Sequence, residues 1–75
     1  MKPSETEVHT ALRMILSDTK SYPTSLNYAV EYVHAGLHMT GHALYIQCLY
    51  ILLNIPRWRH EQAKEVRRVL KEYTK

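Results

Sequence analysis

His34, His38 and His42 recur every four residues. On one continuous helix that spacing puts three imidazoles on one face, and two of them could hold a metal ion. Three features oppose such a site. No glutamate accompanies the histidines in an HExxH arrangement. Thr40-Gly41 reads as a helix break, which turns His42 away from the other two. Cys48, the softest ligand available, lies six residues beyond His42 and belongs to another turn. The pattern predicts partly exposed histidines, no bound metal and no cofactor. Because imidazole titrates near neutral pH, His34 and His38 could at most make an interface pH-sensitive.

Nucleophilic and acid–base chemistry find no better footing. Cys48 is the only cysteine, so no disulfide can form within the chain. Its neighbours Leu44, Tyr45, Leu49 and Leu52 predict burial, and a thiol buried among apolar groups is inert. Two glycines provide no phosphate-cradling loop. Glu5, Glu7, Asp18, Glu31, Glu61, Glu65 and Glu72 all fall on predicted outer faces, with no buried pair to tune. A chain of 75 residues also has little room for a pocket of about 300 Å3 or more. The expectation is a non-enzyme with no catalytic residue and no small-molecule substrate.

The basic residues are unevenly placed. Residues 1–40 carry three cations and four anions; residues 41–75 carry seven cations and three anions, so the net charge of +3 comes from the C-terminal part. Arg57, Trp58, Arg59, Lys64, Arg67, Arg68 and Lys71 are candidates for a nucleic-acid-binding face. Trp58 could stack on a base while its neighbours hold phosphates. The plainer reading makes Trp58 a plug between two helices and the cations a solvated face. Interleaved Glu61, Glu65 and Glu72 favour that plainer reading. A helix-turn-helix is disfavoured. With Gly41 as turn residue, Leu37 occupies the small-residue position and Gln47 the apolar one; with Gly36, Tyr32 and His42 do.

Periodicity predicts an all-α domain, a compact bundle of four short helices over about 4–19, 24–39, 41–54 and 60–73. Ser4 is the expected N-cap of the first helix, with Glu5 and Glu7 at the positive end of its dipole. Val8, Ala11, Leu12, Ile15, Leu16 and Thr19 form its inward stripe. Pro23 marks the break before the second helix. Leu26, Ala29, Val30, Val33 and Leu37 form one stripe there, with Tyr28, Tyr32, Ala35 and Met39 beside it. Gly36 inside that helix implies close packing. Thr40 is the expected cap of the third helix, and Ile55-Pro56 ends it. Ala63, Val66, Val69, Leu70 and Tyr73 line the fourth, with Lys64, Arg67, Arg68 and Lys71 outside. Glu61–Lys64, Glu65–Arg68 and Arg68–Glu72 are spaced for ion pairs along it.

The third helix is apolar almost all round, and a helix of that kind is normally buried on every side. It is expected to sit centrally, with the other three around it. Three short helices cannot cover it fully. Tyr45, Tyr50 and Leu53 point in different directions, so at least one should be exposed. With Tyr28 and Tyr32 they make a candidate protein interface. Six tyrosines, one tryptophan and no phenylalanine fit a half-wet surface better than a dry core. A domain this size draws only roughly 3–5 kcal/mol from its core. Self-association would add to that, and a homodimer is the commonest form. A protein partner is the other outcome, and nucleic acid the less favoured alternative.

The longest apolar run, Ala43 to Ile55, is too short to span a membrane, which takes roughly 20 residues. The stretch Met1 to Glu7 lacks the apolar segment of a signal peptide. With one free thiol, these features predict a cytoplasmic protein. In size, basic C-terminal helix and the stretch Tyr50-Ile51-Leu52-Leu53-Asn54-Ile55-Pro56-Arg57-Trp58-Arg59, the chain resembles the small helical proteins of bacteriophages and prophages. That resemblance implies an accessory or regulatory protein that acts by binding a host or phage protein, and it assigns no functional residue.

Overall fold

Ser4 and Glu7 cap each other's backbone. The Glu7 N–H donates to Ser4 Oγ at 3.2 Å, and the Ser4 N–H donates to the Glu7 carboxylate at 3.3 Å. This capping box satisfies two of the donors that every helix start leaves open. A computed structural model describes residues 2–75 and shows α1 following at once over Glu5–Ser17. Met1, the first residue of the stretch read for a leader, lies outside the described residues.

The predicted boundaries need two corrections at their first joint. α1 stops at Ser17 rather than Thr19, because Asp18 leaves helical geometry and a one-turn 3-10 helix, Thr19–Ser21, follows. α2 spans only Ala29–Gly36, not 24–39. Residues 22–28 form a chain of turns instead, with Leu26 N–H donating to Ser21 O and Asn27 N–H to Thr24 O. Ser, Thr and Asn bond nearby backbone outside helices and so compete with helical hydrogen bonds. Tyr22 reinforces this by donating its hydroxyl to Leu16 O. Leu26 and Ala29 still reach the core.

α3 spans Gly41–Leu53 and α4 spans Ala63–Tyr73. α4 begins three residues later than expected, after a turn in which Ala63 N–H donates to His60 O. Thr40 occupies the N-cap position of α3, but its side chain makes no capping bond. The carboxylate of Glu5, 36 residues away, accepts from Gly41 N–H instead. Gly41 has φ +57°, a left-handed conformation that any side chain would strain. Glu5 Oε2 also lies 3.5 Å from the Tyr73 hydroxyl, which donates to it. The first turn of α1, the start of α3 and the end of α4 thus meet at one carboxylate.

The four helices form a ring. α1 packs on α2 and α4, and α3 packs on the same two. One core fills the centre, from Val8, Leu12 and Ile15 through Leu44, Cys48 and Ile51 to Trp58, Val66 and Leu70. The radius of gyration is 11.0 Å, as expected for a compact domain of this length. The ring replaces the central position expected for α3, which packs on α2 and α4 and is buried on one side only. Leu44, Cys48 and Ile51 are fully buried, whereas Leu49, Tyr50 and Leu53 face outward. A ring gives every helix one solvent face, and α3 has no charged side to show there.

At Gly36, α2 lies close against both of its neighbours. A Cβ there would lie 3.0 Å from Leu12 Cδ1, 3.5 Å from Gln47 Cγ and 3.6 Å from Ile51 Cδ1. The close approach expected from this glycine is therefore present, with Leu12 of α1 on one side and Gln47 and Ile51 of α3 on the other. Gly36→Val should cost about 1–3 kcal/mol through overpacking. Against so thin a margin this should lower the urea midpoint sharply. A midpoint equal to that of the parent chain would refute this packing.

Candidate functional site

The outward side of α3 and the adjoining end of α2 carry the largest exposed apolar groups. Leu53 is 74% exposed, Tyr50 49% and Leu49 37%; on the α2 side Tyr28 is 76% and Tyr32 41% exposed. Tyr32 and Tyr50 stack across the two helices, their ring centroids 6.0 Å apart and their planes 18° from parallel. One side-chain amide ties the two helices together and another closes the end of α3. Gln47 Nε2 donates to Tyr32 O at 2.9 Å, and Asn54 Nδ2 donates to Tyr50 O at 2.8 Å. Asn27, Tyr28, Glu31, Tyr32 and Asn54 line an open depression beside the stack.

Four of the five predicted interface residues, Tyr28, Tyr32, Tyr50 and Leu53, therefore share one surface. Tyr45 does not. It is half-buried, with its ring stacked on His42 at 5.8 Å. Leu49 was not among the predicted residues, yet it belongs to this face, as does the half-buried Ile46. An all-apolar helix offers no polar stripe from which to read its phase. Gln47, which bonds to α2, and exposed His42 in the first turn were the polar residues that could have supplied it.

The basic region is taken apart by the fold. Trp58 is fully buried, so its ring is not available to stack on a base. Its Nε1 donates to Asp18 Oδ2 at 2.8 Å, and the His60 ring stacks on it at 5.7 Å. Of the two readings of Trp58, the plug is the one the structure shows. Asp18, expected on an outer face, is half-buried at this joint and also accepts from Ser21 Oγ at 2.6 Å. Arg67 turns inward and donates to Ile55 O, at 3.0 Å, and to Trp58 O. Arg68 is held by Glu65 at 2.7 Å and Glu72 at 3.3 Å. The expected Glu61–Lys64 pair is not among the ion pairs of the described residues. Arg57, Arg59, Lys64 and Lys71 remain as exposed cations.

His34, His38 and His42 are exposed, and they fall on α2, the turn after it and α3 respectively. Among the described residues no three ligating side chains converge as a metal site would require. A groove of about 210 Å3 runs between α1 and α4, with Ala11, Met14, Val66 and Val69 along it and Glu7, Glu65 and Arg68 at its rim. No described helix is long and apolar enough to cross a membrane. Comparison with protein-family models, with curated proteins and with solved structures finds no match to this chain.

Two of these environments have measurable consequences. Hydrogen bonds from Ser21 and then Trp58 hold the Asp18 carboxyl below its ordinary value of 3.8. A carboxyl with a lower pKa in the folded state stabilises fully above its unfolded value and loses that contribution as pH falls through the folded one. Stability should therefore decline on acidification below about 3.8, and Asp18→Asn should flatten that decline. Thermal midpoints between about pH 5 and pH 2 check this; an unchanged acid slope in the variant would contradict it. Burial pushes the Cys48 thiol up to about 11. A thiol-specific reagent at neutral pH should label Cys48 readily in denaturant and hardly at all in the native chain. Rapid labelling of the native chain would show that the thiol is not sealed in the core.

Proposed function

We propose that this chain is a small, non-enzymatic interaction protein that acts by binding a protein through the face of Tyr28, Tyr32, Leu49, Tyr50 and Leu53. One observation carries the reading. Five large apolar side chains, each more than a third exposed, are gathered on two neighbouring helices of a domain with little stability to spare. Contiguous exposed apolar surface of this kind marks protein–protein contact, and tyrosine is enriched in such contacts. Single exposed leucines need no explanation, but a stacked tyrosine pair flanked by leucines does. Self-association belongs to the same reading. So does a regulatory or accessory role of the bacteriophage type, carried out in the cytoplasm on a host or phage protein. The size of the chain and the stretch Tyr50 to Arg59 support that setting.

The basic face is the weaker candidate. Its aromatic ring is buried, and two of its arginines are engaged by carbonyls and carboxylates of the chain itself. What stays exposed is Arg57, Arg59, Lys64 and Lys71, with Glu61 and Glu65 set among the α4 cations, the normal condition of a solvated helix.

Site-specific photo-cross-linking separates the two faces. A photoreactive phenylalanine analogue at Tyr28 or at Leu53 should give protein adducts in lysate of the native host, a dimer of this chain included. The same analogue at Lys64 should give none, and nuclease treatment should change nothing. Adducts formed only at Lys64, or adducts lost on nuclease treatment, would overturn the proposal.

A further inference from the structure

We infer that His60 is a pH-sensitive cap on α4. Neutral, it accepts the backbone N–H of Gln62 and holds the start of the helix. Protonated, it gives up that hold and stays on Trp58.

α4 begins without a side-chain cap from its own N-cap residue, Gln62. The backbone donors of Gln62 and Ala63 both go to His60 instead. The Ala63 N–H donates to His60 O at 2.9 Å, and the Gln62 N–H donates to His60 Nδ1 at 3.1 Å. A ring nitrogen that accepts carries no hydrogen, so His60 in this state is neutral with its hydrogen on Nε2. The ring lies almost flat on Trp58, with 5.7 Å between centroids and 15° between planes. One half-buried imidazole thus joins a buried indole to a helix start.

Protonation removes one of these contacts and strengthens the other. Imidazolium donates from both nitrogens and accepts at neither, so the Gln62 N–H loses its partner. The new charge also stands at the positive end of the α4 dipole. On the indole side the charge is favoured, because a cation is attracted to the face of a tryptophan. Asp18, which accepts the Trp58 N–H, adds to that attraction. After the hydrogen bonds from Ser21 and Trp58, the charge of His60 is a further influence that lowers the Asp18 carboxyl. Lys20 acts on Asp18 from the 3-10 helix. Arg59, Glu61, Lys64 and Arg67 line the open cleft that His60 and Trp58 share.

The rest of the corner does not depend on the ring nitrogen. Trp58 keeps its bond to Asp18, and Arg67 keeps the carbonyls of Ile55 and Trp58. Acid therefore unfastens the start of α4 without opening the corner. Imidazole changes charge between about pH 5 and 8. That window lies above the ordinary carboxyl value of 3.8, below which Asp18 is held. The cap and the buried joint thus respond to acid in separate steps.

Proton–nitrogen NMR of the full chain from about pH 8 to about pH 5 tests this. At the alkaline end the His60 ring should carry its hydrogen on Nε2. As pH falls, the Gln62 amide proton should move upfield with the same midpoint as the His60 ring. Trp58 is the only tryptophan, so its fluorescence reads the stack directly. The intensity should drop with that midpoint, because a stacked imidazolium quenches an indole, and the emission maximum should stay where it is. Two variants separate the bond from the stack. His60→Asn keeps an acceptor for the N–H two residues on at any pH, so its Gln62 amide should no longer titrate. His60→Phe keeps the stack and loses the acceptor, so its Gln62 amide should sit near the acid position throughout. A Gln62 amide that ignores pH in the parent chain, or a hydrogen on Nδ1 at the alkaline end, overturns the inference. So does a Gln62 titration that persists in His60→Asn, or a Gln62 amide left unmoved by His60→Phe. A red-shifted Trp58 at the acid end overturns the claim that the ring stays and the corner holds.

Discussion

The corner between α3 and α4 depends on one indole. After Leu53 the chain must reverse direction so that α4 can lie against both α3 and α1, and Ile55 and Trp58 fill the space this reversal creates. A tryptophan buried there brings an N–H and two nearby carbonyls with it, and each needs a partner. Asp18 takes the N–H, and Arg67 takes the carbonyls of Ile55 and Trp58. No buried side-chain polar atom of the described residues is left without a partner. The same three side chains explain the early end of α1 and the inward turn of an arginine that would otherwise belong to the basic face. The joint thus fixes the ring and disperses the strongest competing functional site in one stroke.

Closing a ring of four helices has a second effect. Each helix keeps one face in water, and three of the four have polar residues for that face. α4 is the most sharply divided, with Val66, Val69 and Leu70 inside and Lys64, Arg68 and Lys71 outside. α3 is the least divided. Its inner residues are as well buried as any in the chain, yet beyond His42 its outward residues are aliphatic or aromatic. The tyrosine stack with α2 covers part of this deficit, since each ring shields the other and leaves its hydroxyl free. The rest is open surface on the one helix that carries no charge.

What the sequence made legible followed from local rules. The Ser4–Glu7 box, the break at Thr40-Gly41 and the end of α3 before Pro56 each depend on neighbours within a few residues. The inward stripes of α1 and α4 follow from period alone. Misreadings arose where a distant group decided. Thr40 has the right type for a cap, but Glu5 arrives first from another helix. Asp18 looks like a surface carboxylate until Trp58, forty residues on, needs an acceptor. Tyr22 to Tyr28 holds Leu26 at helical spacing from Ala29, while its Thr24, Ser25 and Asn27 favour turns. Of the residues picked out by type, Tyr28, Tyr32, Tyr50 and Leu53 are exposed, because exposure of some tyrosine was unavoidable. Which side of α3 would face outward was not readable, because ring topology sets that phase and the pattern of α3 does not.

The meeting of Glu5 with Gly41 and Tyr73 bears on the order in which the domain assembles. α2 and α3 are joined by a short turn and can pair at small entropic cost. α1 and α4 bracket the rest of the chain, so their pairing closes the longest loop in the molecule. Loop-closure cost grows only slowly with length, about 0.6 kcal/mol per doubling, but it must be met before the contacts it enables are made. The α1–α4 contact is therefore a late clasp, with Glu5 at its edge. A chain caught before that clasp shuts would expose the inner side of α3 as well as the outer one. The window between hairpin and closed ring is then the moment of greatest stickiness.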